Sequence, residues 1–276
     1  MTSSNAVVDV RRLLCEKSVG HAGTLDPGAA GVLPVCVGKA TRLFSYLTEK
    51  EKEYRAEITF GIATDTLDAY GKIVQRAETC VTKEQLLGVL PGFLGEQVQL
   101  PPMYSAVKLE GKKLYELARK GIETERPARP VTIHALTARQ DAEGFLLDVT
   151  CSKGTYIRTL CHDIGQALGC GAVMSALRRT RVGPFTLEDA VTLEAVEQAA
   201  RAGSAESLIR PVDTLFSSLP AITVTDNQKK RCLSGSPFPV DAEEGLYRVY
   251  DKGRNFLMLG RVEKGTMKTV RGFFEV

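Results

Sequence analysis

The stretch Gly20-His21-Ala22-Gly23-Thr24-Leu25-Asp26-Pro27, running on to Gly31-Val32-Leu33-Pro34, decides how this chain is read. Residues 20–34 set four glycines and two prolines around one carboxylate, so a loop is expected rather than a helix or a strand. Taken alone, Asp26 in Asp-Pro-Gly is ordinary turn chemistry, its side chain capping its own backbone. His21, taken alone, reads as a satisfied structural histidine.

Working outward, Val7, Val10 and Leu14 recur at i, i+3 and i+7 and predict a helix over 5–14. Tyr54, Ala56, Ile58 and Phe60 alternate with Arg55, Glu57 and Thr59, the period of a half-buried strand. Thr82 and Gln85 form a capping box ahead of Leu86, Val89 and Leu90, in a helix expected to end near Pro91-Gly92. Residues 101–130 are polar, basic and bracketed by prolines, an excursion of the kind that is either functional or mobile. Phe145, Leu147, Val149 and Cys151 alternate again, and Gly154 ends that strand. Ile157, Leu160, Cys161, Ile164 and Leu168 then follow a helical period, with Thr155 as the expected N-cap and Arg158 in the first turn. Ser217-Ser218-Leu219-Pro220 marks a domain boundary. Beyond it, strand-like runs at 221–224, 246–250, 256–262 and 269–276 predict a small β-rich module.

Composition narrows the class. Hydrophobic residues make up 43% and charged residues 25%, the balance of a globular protein. No apolar run approaches the ~20 residues of a membrane span. Met1-Thr2-Ser3-Ser4-Asn5 lacks a basic region followed by an apolar one, so a cytoplasmic protein is expected. The seven cysteines include no C-x-x-C pair, and with three histidines no four-ligand cluster is visible, so no metal is expected. Cys161-His162 are helix neighbours that point apart, which makes Cys161 a core residue rather than a nucleophile. The net charge of +3 is mild, but the basic residues cluster: Lys108, Lys112, Lys113, Arg119, Lys120, Arg126 and Arg129; then Arg178, Arg179 and Arg181; then Lys229, Lys230 and Arg231. Localised contacts with a polyanion are expected, although each cluster singly reads equally well as a solvated face.

With its neighbours, the opening stretch resembles the catalytic motif of the TruB family of pseudouridine synthases. Lys52-Glu53-Tyr54 with Gly61-Ile62-Ala63-Thr64-Asp65-Thr66-Leu67-Asp68-Ala69-Tyr70-Gly71 resembles a second block of that family. Pro101-Pro102-Met103-Tyr104-Ser105-Ala106-Val107-Lys108 is similar to the start of its RNA-gripping insertion. Ser152-Lys153-Gly154-Thr155-Tyr156-Ile157-Arg158 and Leu177-Arg178-Arg179-Thr180 supply two more blocks in the same order.

The resemblance implies an α/β (α+β) pseudouridine synthase fold on a mixed, largely antiparallel central sheet over 1–217. An RNA-gripping insertion would lie at about 101–130, and a small β-rich PUA-like domain over 218–276. It implies isomerisation of uridine 55 in the T arm of tRNA, without a cofactor, by a protein expected to be monomeric and to touch the acceptor region. Asp26 would be the nucleophile, Tyr54 would stack on the flipped base and help remove its C5 proton, and Arg158 would pair with Asp26. Tyr156 and Leu177 would line the base pocket, His21 would contact the RNA where the base has left, and Asp68 would bind displaced nucleotides. Lys108, Lys112 and Lys113 would meet phosphates. Family members carry an N-terminal strand ending in a Lys-Pro-x-Gly-x-Thr-Ser-like segment. Here Met1-Thr2-Ser3 falls inside it, so a misassigned start or a truncation that exposes a sheet edge is expected. The rivals are an RNA-binding or tRNA-folding protein without catalysis and a ribosomal-RNA synthase of a guide-RNA particle. A zinc deaminase lacks its H-x-E and P-C-x-x-C signatures here.

Overall fold

The alternation at Tyr54–Phe60 and Phe145–Cys151 becomes the middle of a sheet. In a computed structural model describing residues 1–109, 111–142 and 144–273, the chain divides into two compact units. One comprises Met1–Val7, His21–Val35 and Phe44–Ala190; the other Val8–Gly20, Cys36–Leu43 and Val191–Val276.

The first unit is built on a sheet with seven strands among the described residues. Strand Lys52–Phe60 lies between Ala172–Val182 and Phe145–Cys151, which in turn pairs with Arg129–Gln140 and then Gly95–Gln99. These pairings are antiparallel, as is Phe185–Thr186 on the far edge. Ala30–Gly31 adds in parallel, on Arg178 and Arg179, so the sheet is mixed and largely antiparallel, as expected. Phe145, Leu147, Val149 and Cys151 all point into the core, while the residues between them are half-buried.

Helices Lys83–Val89 and Ile157–Ala167 supply the apolar side chains that cover this face. Leu86, Leu160 and Ile164 join Ala56, Ile133, Leu147 and Val149 in one cluster. Emptying such a site by Leu→Ala costs about 2–5 kcal/mol, so these positions fix the sheet under the site. The capping box at Thr82 and Gln85 forms in both directions, at 3.2 Å and 2.9 Å. Its helix stops at Val89, and a 3-10 turn, Leu90–Phe93, carries the chain through Pro91. The N-terminal helix spans Ser3–Leu13.

One expected cap is corrected. The backbone makes Tyr156 the N-cap of Ile157–Ala167, and it has no side-chain cap bond. Thr155 Oγ1 instead donates to Ser152 O at 3.0 Å, tightening the turn before the helix. Cys161 is fully buried and its thiol is pushed up to about 12 by burial, so it is inert.

The second unit carries a five-stranded sheet in the order Ala221–Thr223, Gly245–Tyr250, Phe256–Glu263, Thr266–Gly272, Phe238–Pro239, counted among the described residues. The last expected strand thus begins earlier than 269, and its residues 274–276 lie outside the described ones. Helix Asp226–Ser234, capped by Thr225 and Gln228, packs Cys232 against Val249, Met258 and Met267. No helix among the described residues is long and apolar enough to cross a membrane.

Candidate active site

Asp26 sits in a turn closed by Ala29 N–H donating to Asp26 O at 2.9 Å. Just before it, Leu25 N–H donates to Ser3 Oγ at 2.9 Å. Arg158 reaches the carboxylate from the first turn of its helix: Nη2 donates to Asp26 Oδ1 at 3.1 Å, and Nε lies 2.9 Å from Oδ2. The two partners differ in exposure, 4% for the Arg158 side chain and 36% for Asp26. The cation is enclosed while the carboxylate keeps an open side.

Arg158 is held in turn by carbonyls. Nη1 donates to Thr66 O at 3.1 Å and Nη2 to Tyr104 O at 3.0 Å. Asp68 Oδ2 stands 3.9 Å from Nη1. Its other oxygen accepts from Thr66 Oγ1 at 2.6 Å and from Tyr70 N–H at 3.0 Å. Asp26, Arg158 and Asp68, from three distant segments, thus form one charged row.

Tyr54 and Leu177 occupy adjacent central strands and pack against the core cluster. Burial pushes the Tyr54 phenol up; the Arg179 guanidinium bonded to it pulls the other way, and Asp26 adds to the rise. Tyr54 is therefore a neutral ring at pH 7. Tyr156 is fixed by Gln99, whose Oε1 accepts its N–H at 2.9 Å and whose Nε2 donates to its carbonyl at 3.3 Å. The His21 pKa is lowered by burial and then by Arg179, and its Nδ1 has no hydrogen-bond partner. Lys108 and Lys112 are exposed in a short hairpin, Lys108–Leu109 with Lys112–Lys113. Lys113 is half-buried, 5.4 Å from the Tyr115 ring centre.

Arg179 was not singled out by sequence reasoning. Strand register sets it beside Tyr54, and it is 2% exposed. Nε donates to Val32 O at 2.8 Å, Nη2 to Gly23 O at 3.0 Å and Nη1 to Thr24 O at 3.4 Å. One side chain thereby ties both limbs of the Asp26 loop to the sheet. The loop comes so close that a Cβ at Gly31, where φ is +106°, would lie 2.1 Å from Arg179 O. The expected polyanion cluster at 178–181 is corrected accordingly. Arg179 is consumed internally, Arg181 binds Glu53 at 2.8 Å, and Arg178 stays exposed. In the insertion, Arg126 likewise turns inward, Nε donating to Pro101 O at 2.5 Å.

A cavity of about 590 Å³ opens beside Tyr54, bounded by Gly23, Thr24, Lys52, Lys153 and Arg179. Lys52 is buried, with Nζ donating to Thr48 O and Lys50 O, and burial followed by the Arg179 charge lowers its pKa. Among the described residues no three His, Cys, Asp or Glu side chains gather as a metal site.

A loop carboxylate with an open side, an enclosed arginine from a helix and a neutral aromatic ring on the central sheet thus come from separate segments of the first unit. Residues 11–157 match the TruB family pseudouridylate synthase N-terminal domain, and 158–217 the tRNA pseudouridylate synthase B C-terminal domain. A tRNA pseudouridine synthase B of Pelotomaculum thermopropionicum is 50% identical over 242 residues, covering 85% of this chain and 77% of the relative. One of Azoarcus sp. (strain BH72) is 46% identical over 274 residues, covering 98% and 90%. A solved H/ACA RNP bound to a substrate RNA containing 2′-deoxyuridine is similar at a TM-score of 0.73 and 25% identity, covering 100% of this chain and 82% of that one. The chain belongs to the TruB family of pseudouridine synthases. Its C-terminal five-stranded sheet is PUA-like.

Proposed function

We propose that this enzyme isomerises uridine 55 in the T arm of tRNA to pseudouridine, with Asp26 as nucleophile. The N1–C1′ bond breaks, the detached uracil rotates, C5–C1′ forms, the C5 proton leaves to solvent, and N1 takes up a proton. Glycoside hydrolysis normally enlists a second carboxylate to activate water; an isomerase that returns the same base needs none. Asp26 adds to the sugar or the base, or promotes departure of the uracil. The Asp26–Arg158 pair carries this reading, because a fixed cation aims the carboxylate while its open side stays free.

In this reading Tyr54 stacks on the flipped base and assists removal of the C5 proton. Its neutral state suits stacking; direct proton removal calls for the phenolate, which Arg179 favours and burial opposes. Tyr156 and Leu177 line the base pocket, His21 meets the RNA where the base has left, and Asp68 binds the displaced nucleotides. Residues 1–217 carry catalysis, Lys108, Lys112 and Lys113 grip T-arm phosphates from the insertion, and 218–276 touch the acceptor region. The enzyme acts as a cytoplasmic monomer and without a cofactor.

Tritium release from a 5-tritiated-uridine tRNA transcript tests this. The protein alone should release tritium and Asp26→Asn should not. Release retained in Asp26→Asn would sink the nucleophile assignment. Absence of release by the unmodified protein would favour binding without catalysis, or dependence on a guide-RNA particle.

A further inference from the structure

Tyr70 is an aromatic side chain that the site's chemistry leaves unused. It is 76% exposed, two residues beyond Asp68. An exposed tyrosine ring beside a site offers a surface on which something flat or apolar can stack. Its position is also fixed. Its backbone N–H donates to Asp68 Oδ1 at 3.0 Å, and the opposite carboxylate oxygen faces Arg158 at 3.9 Å. Its ring lies against the backbone of Gly28, two residues from Asp26, so closely that a Cβ there would sit 2.5 Å from the ring. Glycine at 28 lets the hydroxyl edge of the ring lie at the rim of the site while most of the ring stays open.

We propose that Tyr70 is a stacking platform for a base adjoining the target uridine. The proposal rests on the reading that the enzyme flips a uridine out of folded RNA. Extruding one base strips a stacking partner from each neighbour, at a few kcal/mol. An aromatic face at the rim replaces what one neighbour loses, and single unstacked bases are commonly held on tyrosine rings. Tyr70 is thus a positioning residue: it recognises the flank, not the reacting base. Stacking tolerates any base, so the contribution is to affinity and register rather than to sequence choice.

The test uses 5-tritiated-uridine T-arm transcripts in which the base 5′ or 3′ of the target is intact or replaced by an abasic site. Single-turnover release and direct binding are measured for the unmodified protein, Tyr70→Phe and Tyr70→Ala. On intact RNA, Tyr70→Ala should raise the half-saturating RNA concentration on the order of tenfold with little change in maximal rate, while Tyr70→Phe matches the unmodified protein. On one of the abasic transcripts the unmodified protein should fall to the Tyr70→Ala level, and the substitution should then have no further effect. That transcript identifies the stacked neighbour. Tyr70→Ala equal to the unmodified protein on intact RNA would overturn the proposal and leave the ring as a contact for a protein partner. An equal loss on all three transcripts would overturn it too, marking a packing role through Gly28. If no transcript releases tritium, the isomerase reading fails, and the binding comparison still decides the role of Tyr70.

Discussion

Two irregular segments of the first unit, the loop at 20–34 and the insertion at about 101–130, are held in opposite ways. The loop spends its hydrogen bonds inward: on Ser3 before Asp26, on Arg158 at Asp26, and on Arg179 at Gly23, Thr24 and Val32. The insertion anchors itself at its base, through Arg126 on Pro101 and the buried Leu114, and leaves Lys108 and Lys112 in solvent. Chemistry on one carboxylate rewards fixed geometry, whereas contact with a flexible polyanion rewards reach. Both segments are rich in turn formers, but the loop carries no lysine or arginine and is held by Arg158 and Arg179 from elsewhere, whereas the insertion carries its own cations and turns some of them to solvent.

The strongest way to break the contrast is at Asp26. Asp26→Asn keeps the size of the side chain and removes the nucleophilic charge, so tritium release should fall by on the order of a thousandfold or more while tRNA binding is retained. Lost binding would show that the carboxylate shapes the loop rather than the reaction. Arg179→Met should come next: three carbonyls lose their donor, costing about 3 kcal/mol, and thermal unfolding should drop by roughly 5–10 °C. An unchanged melting temperature would mean that the loop is fixed without Arg179.

The insertion should answer differently. Lys112→Gln should leave melting unchanged and lower the salt slope of tRNA binding by about one, and adding Lys113→Gln by about one more. An unaltered slope would remove these lysines from the phosphate contacts. Lys113 shares the Tyr115 ring with Arg119, so Lys112→Gln is the cleaner arm.

The smallest effect lies in the second unit, at Asp251. Lys229 at 2.7 Å, then Asn255, hold its carboxyl well below the usual carboxylate range. A depressed folded pKa stabilises above the unfolded value of 3.8 and loses that contribution as pH falls further. Asp251→Asn should therefore destabilise slightly at pH 7, and the gap should close below about pH 3.8 in acid melts. A gap that has not narrowed at all between pH 5 and pH 2 would assign the loss to packing.

The two strands at the middle of the sheet, 52–60 and 145–151, were legible because they are buried on one face and therefore alternate, as 145–151 does in every residue. Arg158 was legible because a strand end followed by a helical period fixes the first turn. Arg179 was not. It looked like one member of a surface cluster, and the bulges between Met174 and Ala176 and between Arg179 and Arg181 interrupt the alternation that would have placed it inside. Its partners also lie about 150 positions away in sequence, and those of Arg158 between 54 and 132, and such closure follows from register, not from local pattern. The cap at Thr155 was misjudged because a threonine hydroxyl satisfies a preceding carbonyl as readily as a following N–H.

The close approach at Gly31 constrains what the gene can become. Every missense change at that codon adds a Cβ, and the atom it would strike belongs to a backbone already locked into a strand. A flexible side chain could swing away; a main-chain oxygen cannot. Drift at this position is closed in one step, so variation in the loop must accumulate around Gly31 and never through it.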